Sequence, residues 1–195
     1  MLREFALFPL SQIVLPQGQM QLRIFEPRYQ RLVKEACAGK RPFASALLNP
    51  YVASEHPDRI FAHATAVAVT DFSQLDDGLL GITIRGLQRV QIVRRWQEED
   101  GLHVAMVQAL PDWPAESLQP QHQMLQAELQ QVFAQNPQLA ALYPAPDWHN
   151  SSWLAQRWIE ILSMQPPLKY QLMAAADASP TLEALSHWLQ QSQLN

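Results

Sequence analysis

The sequence predicts an α+β protein, with a β-rich lobe over residues 1–112 followed by a helical lobe over residues 113–195. Up to about residue 111 the apolar residues form short segments, many of which alternate with polar residues at period two, as half-buried strands do. Beyond residue 112 apolar residues recur at the spacing of helices, and glycine is absent from residue 102 to the end. The segment between the lobes is short, so we expect the helical lobe to pack on the first as one unit.

Two Asp-Gly dipeptides predict hairpins in the β-rich lobe. Asp77-Gly78 and Asp100-Gly101 each lie between strand-like segments, and this dipeptide tolerates the positive φ angles of tight hairpin turns. Consecutive antiparallel strands with one buried face tend to close into a barrel or to pack as a sandwich, since an open sheet leaves its edges unpaired. We therefore expect one of these two arrangements.

One helix is predicted to interrupt the strands, from Pro27 to about Ala38. Proline suits the first helical turn, where its missing N–H is no loss, and Gly39 suits the left-handed residue that follows a helix. The apolar spacing places Cys37 on the buried side, where a free cysteine acts as a small apolar side chain.

Three amphipathic stripes and one shorter segment predict four helices in the second lobe. Ser179 and Pro180 open the last stripe as N-cap and first helical residue. The short helix is expected from Pro167 to about Ala176. The stripes consist of Leu125, Leu129, Val132 and Phe133, of Leu154, Trp158, Ile161 and Leu162, and of Leu182, Leu185 and Leu189.

Composition restricts the compartment and the partners. The chain has 195 residues, a single cysteine and a formal net charge of −4, so we expect neither an internal disulfide nor a phosphate backbone as the main partner. The apolar N-terminus is interrupted by charged residues and prolines, and no run reaches the roughly 18 apolar residues of a membrane span. We expect a cytoplasmic protein that has no membrane partner.

The motifs of common catalytic and cofactor sites are missing from the sequence. It has no GxxxxGK loop followed by Ser or Thr, no GxSxG elbow and no closely spaced histidine pair for a metal ion. We therefore predict a protein that is not an enzyme and that uses neither a cofactor nor a metal.

Three segments carry a resemblance to a known family. The first, "FALFPLSQIVLPQGQMQLRIFEPRYQRLV", resembles the opening of the N-terminal substrate-recognition domain of the ATP-dependent protease Lon, with residues 8–10, 16–18 and 24–29 in register. The second, "DDGLLGITIRGLQRVQI", matches through Asp77, Gly78, Gly86 and Arg89. The third, "PPLKYQLMAAADASPTLEALSHWL", is similar to the C-terminal run of that domain. Arg23, Val90 and Ala174 depart from the residues usual in the family.

The resemblance implies a fold and a function. The fold is a PUA-like β pseudo-barrel followed by a helical lobe, which agrees with the two halves predicted above. The function is binding of unfolded or extended polypeptides. Because the phosphate-loop motif is missing, we expect a free-standing recognition domain without ATPase or protease modules of its own. A protease or a chaperone is a further candidate partner.

The site residues follow from the same resemblance, except Trp148 and Trp153, which the proline-rich segment "LYPAPDW" makes the likeliest tryptophans of the second lobe to be partly exposed. Glu26, Pro27, Arg28, Tyr29, Gly86 and Arg89 are the structural motif, and Phe25, Tyr29, Trp148 and Trp153 are candidates for contact with peptide. We expect the peptide site at the junction of the two lobes, where a concave apolar surface can form. We also expect Glu26 to start the helix and to pair with Arg89, while Arg28 fixes the turn or pairs with Asp77.

Two other functions stay open at this point. PUA-like folds include RNA binders, and Arg85, Arg89, Arg94 and Arg95 lie close together, with Arg85 and Arg89 expected on one face of a strand. We favour a solvated or internally paired face over an RNA-binding stripe, because acidic residues follow at 98–100. The other alternative is an enzyme whose site leaves no signature in the sequence.

Overall fold

The first unit of the structure is built on one six-stranded sheet. The computed structural model describes residues 1–193, and the chain divides into two compact units, Met1–Asp112 and a second that begins at Trp113. The strands are β1 (Leu2–Leu10), β2 (Gln19–Ile24), β3 (Phe43–Leu48), β4 (Ile60–Gln74), β5 (Leu80–Gln97) and β6 (His103–Ala109). Their order is β2-β5-β4-β3-β1-β6, and β6 pairs again with β5. Five strands therefore close a barrel, with β2 added along the first half of β5, and the α+β prediction is confirmed.

The two predicted hairpins are present. Gly78 joins β4 to β5 with φ +80°, and Gly101 joins β5 to β6 with φ +81°. Both angles lie in the left-handed region that glycine enters without steric cost. The Asp-Gly dipeptides therefore mark the turns, as predicted.

Alternate residues of β1 supply two separate apolar clusters. Ala6 and Phe8 belong to one cluster, which also contains helical residues, while Phe5 and Leu7 belong to the other. This follows from the period of two in a strand, which points successive side chains to opposite faces. Both faces of β1 are buried from Phe5 to Phe8, so its sequence from Phe5 onwards is a continuous apolar run.

The first helix, α1 (Pro27–Cys37), covers one of these clusters. Pro27 lies in its first turn as predicted, and Leu32 and Val33 are fully or almost fully buried. Cys37 is exposed, so the prediction of a buried thiol is wrong. The reason is that Cys37 is the last helical residue, beyond the turns that contact the core.

An ion-pair network fastens α1 to the hairpin between β5 and β6. Arg41, just after the helix, contacts Glu35 at 2.7 Å and Glu98 at 2.6 Å, while Arg31 contacts Glu98 at 2.5 Å and Asp100 at 2.8 Å. Hydrogen bonding from Arg41, and then from Arg31, lowers the pKa of the Glu98 carboxyl. The helix is thereby held against the tip of this hairpin.

The second unit consists of helices. They are α2 (Gln123–Gln135), α3 (Pro137–Ala141), α4 (Ser151–Ile161), α5 (Pro166–Ala174) and α6 (Ser179–Gln193). Residues 151–159 of α4 are all buried, which makes it the central helix, and Asn150 caps it by accepting hydrogen bonds from two backbone N–H groups. The short α3 was not predicted, and α6 begins at Ser179 itself rather than after it. Within residues 1–193, no helix has the length and apolar character needed to cross a membrane.

Candidate functional site

A groove with a volume of about 840 Å³ opens beside the corner where β2 leads into α1. All the residues that line it belong to the first unit. They come from the end of β1, the corner itself, the loop that precedes β4, and the paired ends of β5 and β6. The aromatic and imidazole side chains among them are Phe8, Phe25, Tyr29, Trp96, His56 and His103.

An aromatic pair forms a rigid part of the groove wall. Tyr29 stacks on Phe8 with ring centroids 4.2 Å apart and an angle of 13° between the ring planes. Phe8 is buried, and burial is also the main cause that raises the pKa of Tyr29. Phe25 is different, because 62% of its surface is exposed. The groove therefore combines a fixed aromatic surface with one uncovered aromatic ring.

The charges of the corner pair with each other. The Arg28 guanidinium contacts the Glu26 carboxylate at 2.5 Å and donates a hydrogen bond to the Gly101 carbonyl at 3.2 Å. Arg28 thus ties the start of α1 to the hairpin turn. Both side chains of the pair are about one-third exposed, and an ion pair of this exposure contributes about 0–1 kcal/mol.

The predicted Glu26–Arg89 pair is wrong. Ile24 pairs with Leu80 at the start of β5, whereas Arg89 lies nine residues further along that strand, roughly 30 Å at the rise of an extended chain. The alternative pairing of Arg28 with Asp77 is also wrong, because Asp77 forms an ion pair with Arg23.

Two further arginines reach the groove, Arg59 from the loop before β4 and Arg95 from β5. Arg59 donates hydrogen bonds to the carbonyls of Asn49 and Val52, at 2.8 and 3.1 Å. Arg95 of β5 donates to the Pro57 carbonyl at 2.8 Å. Burial lowers the pKa of Arg95, and the charge of Asp58 opposes that shift.

His103 lies in the same groove as these arginines. The pKa of His103 is lowered to about 4. Burial is the largest cause, followed by the positive charges of Arg95 and Arg28. Its Nε2 atom is 3.4 Å from Nε2 of Gln97. The imidazole is therefore neutral at pH 7.

We expect His103 to make stability depend on pH. Its pKa is about 4 in the folded state against 6.5 in the unfolded chain, so the unfolded chain binds the extra proton between these values. The contribution of His103 to the free energy of unfolding is fully present above pH 6.5 and declines as the pH falls towards 4. The loss is about 1–2 kcal/mol after allowance for the half-exposed position. Urea unfolding of His103→Gln at pH 4.5 and pH 7 measures this contribution. His149→Gln, exposed in the second unit, is the control; equal pH dependence in both variants contradicts the assignment.

Gly86 and Arg89 have structural positions outside the groove lining. Gly86 donates to the Gly18 carbonyl and accepts from the Gln17 N–H, both at 2.9 Å, so that two backbone segments cross at close range. Arg89 is 4% exposed and donates to the Pro111 carbonyl at 2.8 Å. Both residues therefore make hydrogen bonds to the backbone of the first unit and do not line the groove.

The four clustered arginines do not form one stripe. Arg85 and Arg94 are exposed, Arg89 is buried, and Arg95 lies in the groove. The expectation that Arg85 and Arg89 share a face fails because β5 carries a bulge. Ala66 pairs with Gln88 and Val67 with Gly86, which leaves residue 87 as the extra residue and reverses the faces beyond it.

Of the two tryptophans proposed for peptide contact, Trp153 is unsuitable. It is 3% exposed and packs against Trp148, with ring centroids 5.3 Å apart, inside the helical unit. Trp148 is half-buried and also contacts Phe133. The proline-rich segment before Trp148 predicted exposure for both tryptophans. Trp153, however, lies within α4, where its position in the helix points its side chain into the core.

Sequence reasoning missed His103, Trp96, Arg59 and Arg95 as groove residues. Each lies far from the corner motif in sequence, and the closure of the barrel brings them together. The groove does contain the corner residues Phe25, Glu26, Arg28 and Tyr29. Among the residues that the structure describes, no three His, Cys, Asp or Glu side chains are arranged to hold a metal ion.

Comparisons with known proteins agree on one family. A model of the ATP-dependent protease La (LON) substrate-binding domain matches residues 4–191. Lon protease 1 of Herpetosiphon aurantiacus is 28% identical over 149 residues, which are 72% of this chain and 18% of that protein.

Two solved structures are similar along almost the whole chain. A Lon N-terminal domain protein from Xanthomonas campestris has a TM-score of 0.74 and 27% identity, and the match covers 95% of this chain and 98% of that one. The N-terminal domain of a Mycobacterium avium complex Lon protease has a TM-score of 0.65 and 18% identity, with 95% and 97% covered, and supports the fold alone. The chain thus belongs to the family of the Lon (ATP-dependent protease La) substrate-binding domain.

Proposed function

We propose that this chain is a non-catalytic recognition domain that binds extended or unfolded polypeptide segments in the groove of its first unit. The observation that carries the proposal is an exposed Phe25 beside the rigid Phe8–Tyr29 stack, in a member of a substrate-binding family. Apolar contacts are non-directional, so weak binding with broad sequence preference follows. The proposal includes action without ATPase or protease modules in this chain, a cytoplasmic location, and a protease or chaperone as further partner.

The strand next to the groove supports an extended ligand. β1 pairs with β6 only as far as Ala6, and beyond that residue β1 pairs with β3 alone among the described residues. Residues 8–10 of this half-paired segment also line the groove. A strand edge without a neighbour offers backbone groups to an added strand, although Pro9 in this segment contributes a carbonyl and no N–H. The site that we predicted at the junction of the two lobes stays a prediction.

The test is a substitution of the exposed ring. Phe25→Ser is expected to weaken binding of a denatured client about tenfold, the loss of one buried aromatic contact, while the protein stays folded because the side chain is mostly in water. Fluorescence anisotropy with a labelled unfolded protein measures the affinity.

The matched control is Phe72→Ser. Phe72 is 54% exposed on β4 and does not line the groove, so binding should be unchanged. The groove is the wrong site if both variants lose binding equally, or if amide shifts on addition of client scatter evenly over the surface. Structured RNA in the same assay tests the alternative ligand class.

A further inference from the structure

The groove carries more positive charge than the protein around it. Four arginines line it, against two glutamates, whereas the whole chain has a formal net charge of −4. The remaining surface therefore carries a larger negative excess. A ligand with carboxylates is repelled by most of the protein and attracted to this one region.

Two of the groove arginines already form ion pairs with carboxylates. Arg23 pairs with Asp77, and Arg28 pairs with Glu26. The ion pairs found within residues 1–193 include neither Arg59 nor Arg95, which donate hydrogen bonds to backbone carbonyls. The charge of Glu55 interacts with Arg59, and that of Asp58 with Arg95; both carboxylates are exposed side chains in the loop before β4.

The charges around His103 give this side of the groove a positive field. Arg95 and Arg28 both lower the pKa of His103, in addition to the effect of burial. Burial also reduces the hydration of the Arg95 guanidinium, so a carboxylate would replace some of the solvation that the group lacks. The planar guanidinium suits a carboxylate in two-point contact.

We propose that the groove prefers extended polypeptide segments in which carboxylate side chains accompany apolar residues. Arg95 and Arg59 contact the carboxylates, and Phe25 contacts a neighbouring apolar side chain. This inference rests on the proposed function and adds the chemical class of the polypeptide. Apolar contact supplies the broad affinity, and charge selects among apolar segments.

The experiment compares three labelled unfolded peptides of equal length and apolar content. One carries aspartate and glutamate, one carries asparagine and glutamine at the same positions, and one carries lysine. We expect the acidic peptide to bind about tenfold more tightly than the neutral one in 50 mM salt, and the lysine peptide most weakly. The preference should fall to about twofold in 500 mM salt, because screening shortens the reach of charges.

Variants identify the side chains responsible. Arg95→Gln and Arg59→Gln are expected to weaken binding of the acidic peptide about tenfold more than binding of the neutral one, so that the preference for the acidic peptide disappears. Arg85→Gln is the matched control, since Arg85 is exposed on the same strand as Arg95 but outside the groove. Thermal melts of each variant show that it is folded.

The outcomes separate this inference from the proposed function. Equal affinity for the acidic and neutral peptides, with binding still sensitive to Phe25→Ser, overturns the charge preference and leaves peptide binding intact. Failure of all three peptides to bind removes both proposals. An Arg95-dependent affinity for structured RNA equal to that for the acidic peptide overturns the inference, because the groove would then accept any polyanion.

Discussion

Gly86→Ala is expected to destabilise the protein by about 3 kcal/mol or more, the upper range for overpacking a site that cannot yield. A Cβ atom at this position would lie 2.0 Å from the backbone oxygen of Leu15 and 2.6 Å from its carbonyl carbon. Neither atom can move away easily, because two backbone hydrogen bonds hold this segment against Gly86, one from the Gln17 N–H and one to the Gly18 carbonyl. For a chain of this size the melting temperature should fall by about 10 °C. Denaturant unfolding and a thermal scan measure the two quantities.

Gly78→Ala is the matched control. Gly78 has φ +80°, yet nothing lies within 4 Å of its added Cβ, so only the left-handed backbone opposes alanine, at about 1 kcal/mol. Gly86 is not among the residues with positive φ, so its requirement is for space. A loss in Gly86→Ala no larger than in Gly78→Ala would show that the two segments can separate without cost.

Local signals in the sequence predicted most of the fold. The hairpins at Gly78 and Gly101 and the start of α1 at Pro27 each depend on the conformational preferences of one or two residues, which are readable without the rest of the chain. The helical stripes of α2 and α6 were equally clear, since burial on one side leaves a period in the sequence, whereas residues 151–159 of α4 are all buried. The bulge at residue 87 could not be predicted from the sequence, because it is defined by the pairing of β5 with β4. It changed which arginine side chains face outward.

The candidate site was predictable only in part. The corner motif identified Phe25 and Tyr29 in the groove, but it also suggested a long-range partner for Glu26 that the register of β2 on β5 excludes. Arg59, Arg95 and His103 come from three other segments and meet only when the barrel closes. No local pattern distinguishes them from ordinary surface residues.

Arg157 is the basis of the last prediction, because its positive charge is enclosed in the helical unit. Its side chain is 0% exposed, and Nε lies 2.7 Å from the Glu160 carboxylate. The guanidinium packs against the rings of Tyr143 and Trp153, at 5.3 and 5.5 Å from their centroids. Tyr143 donates its hydroxyl to the same carboxylate at 3.0 Å, and burial raises the pKa of that hydroxyl. The backbone carbonyl of Glu160 accepts from Lys169 at 3.2 Å.

Arg157→Met is expected to cost about 3–5 kcal/mol, because methionine fills a similar volume but removes the guanidinium that contacts the buried Glu160 carboxylate. The melting temperature should fall by about 10–15 °C. The double variant Arg157→Met with Glu160→Gln should recover most of the loss, since it removes the stranded negative charge and keeps an acceptor for Tyr143. Urea unfolding of the single and double variants gives the coupling energy between the two positions.

Arg94→Met is the control, because Arg94 also lies over an aromatic ring, Trp96 at 5.9 Å, but is exposed. The loss of stability in this variant should stay within about 0.5 kcal/mol. If Arg157→Met destabilises the protein no more than Arg94→Met, or if the double variant is as unstable as the single one, the buried charge pair does not hold the helical core together.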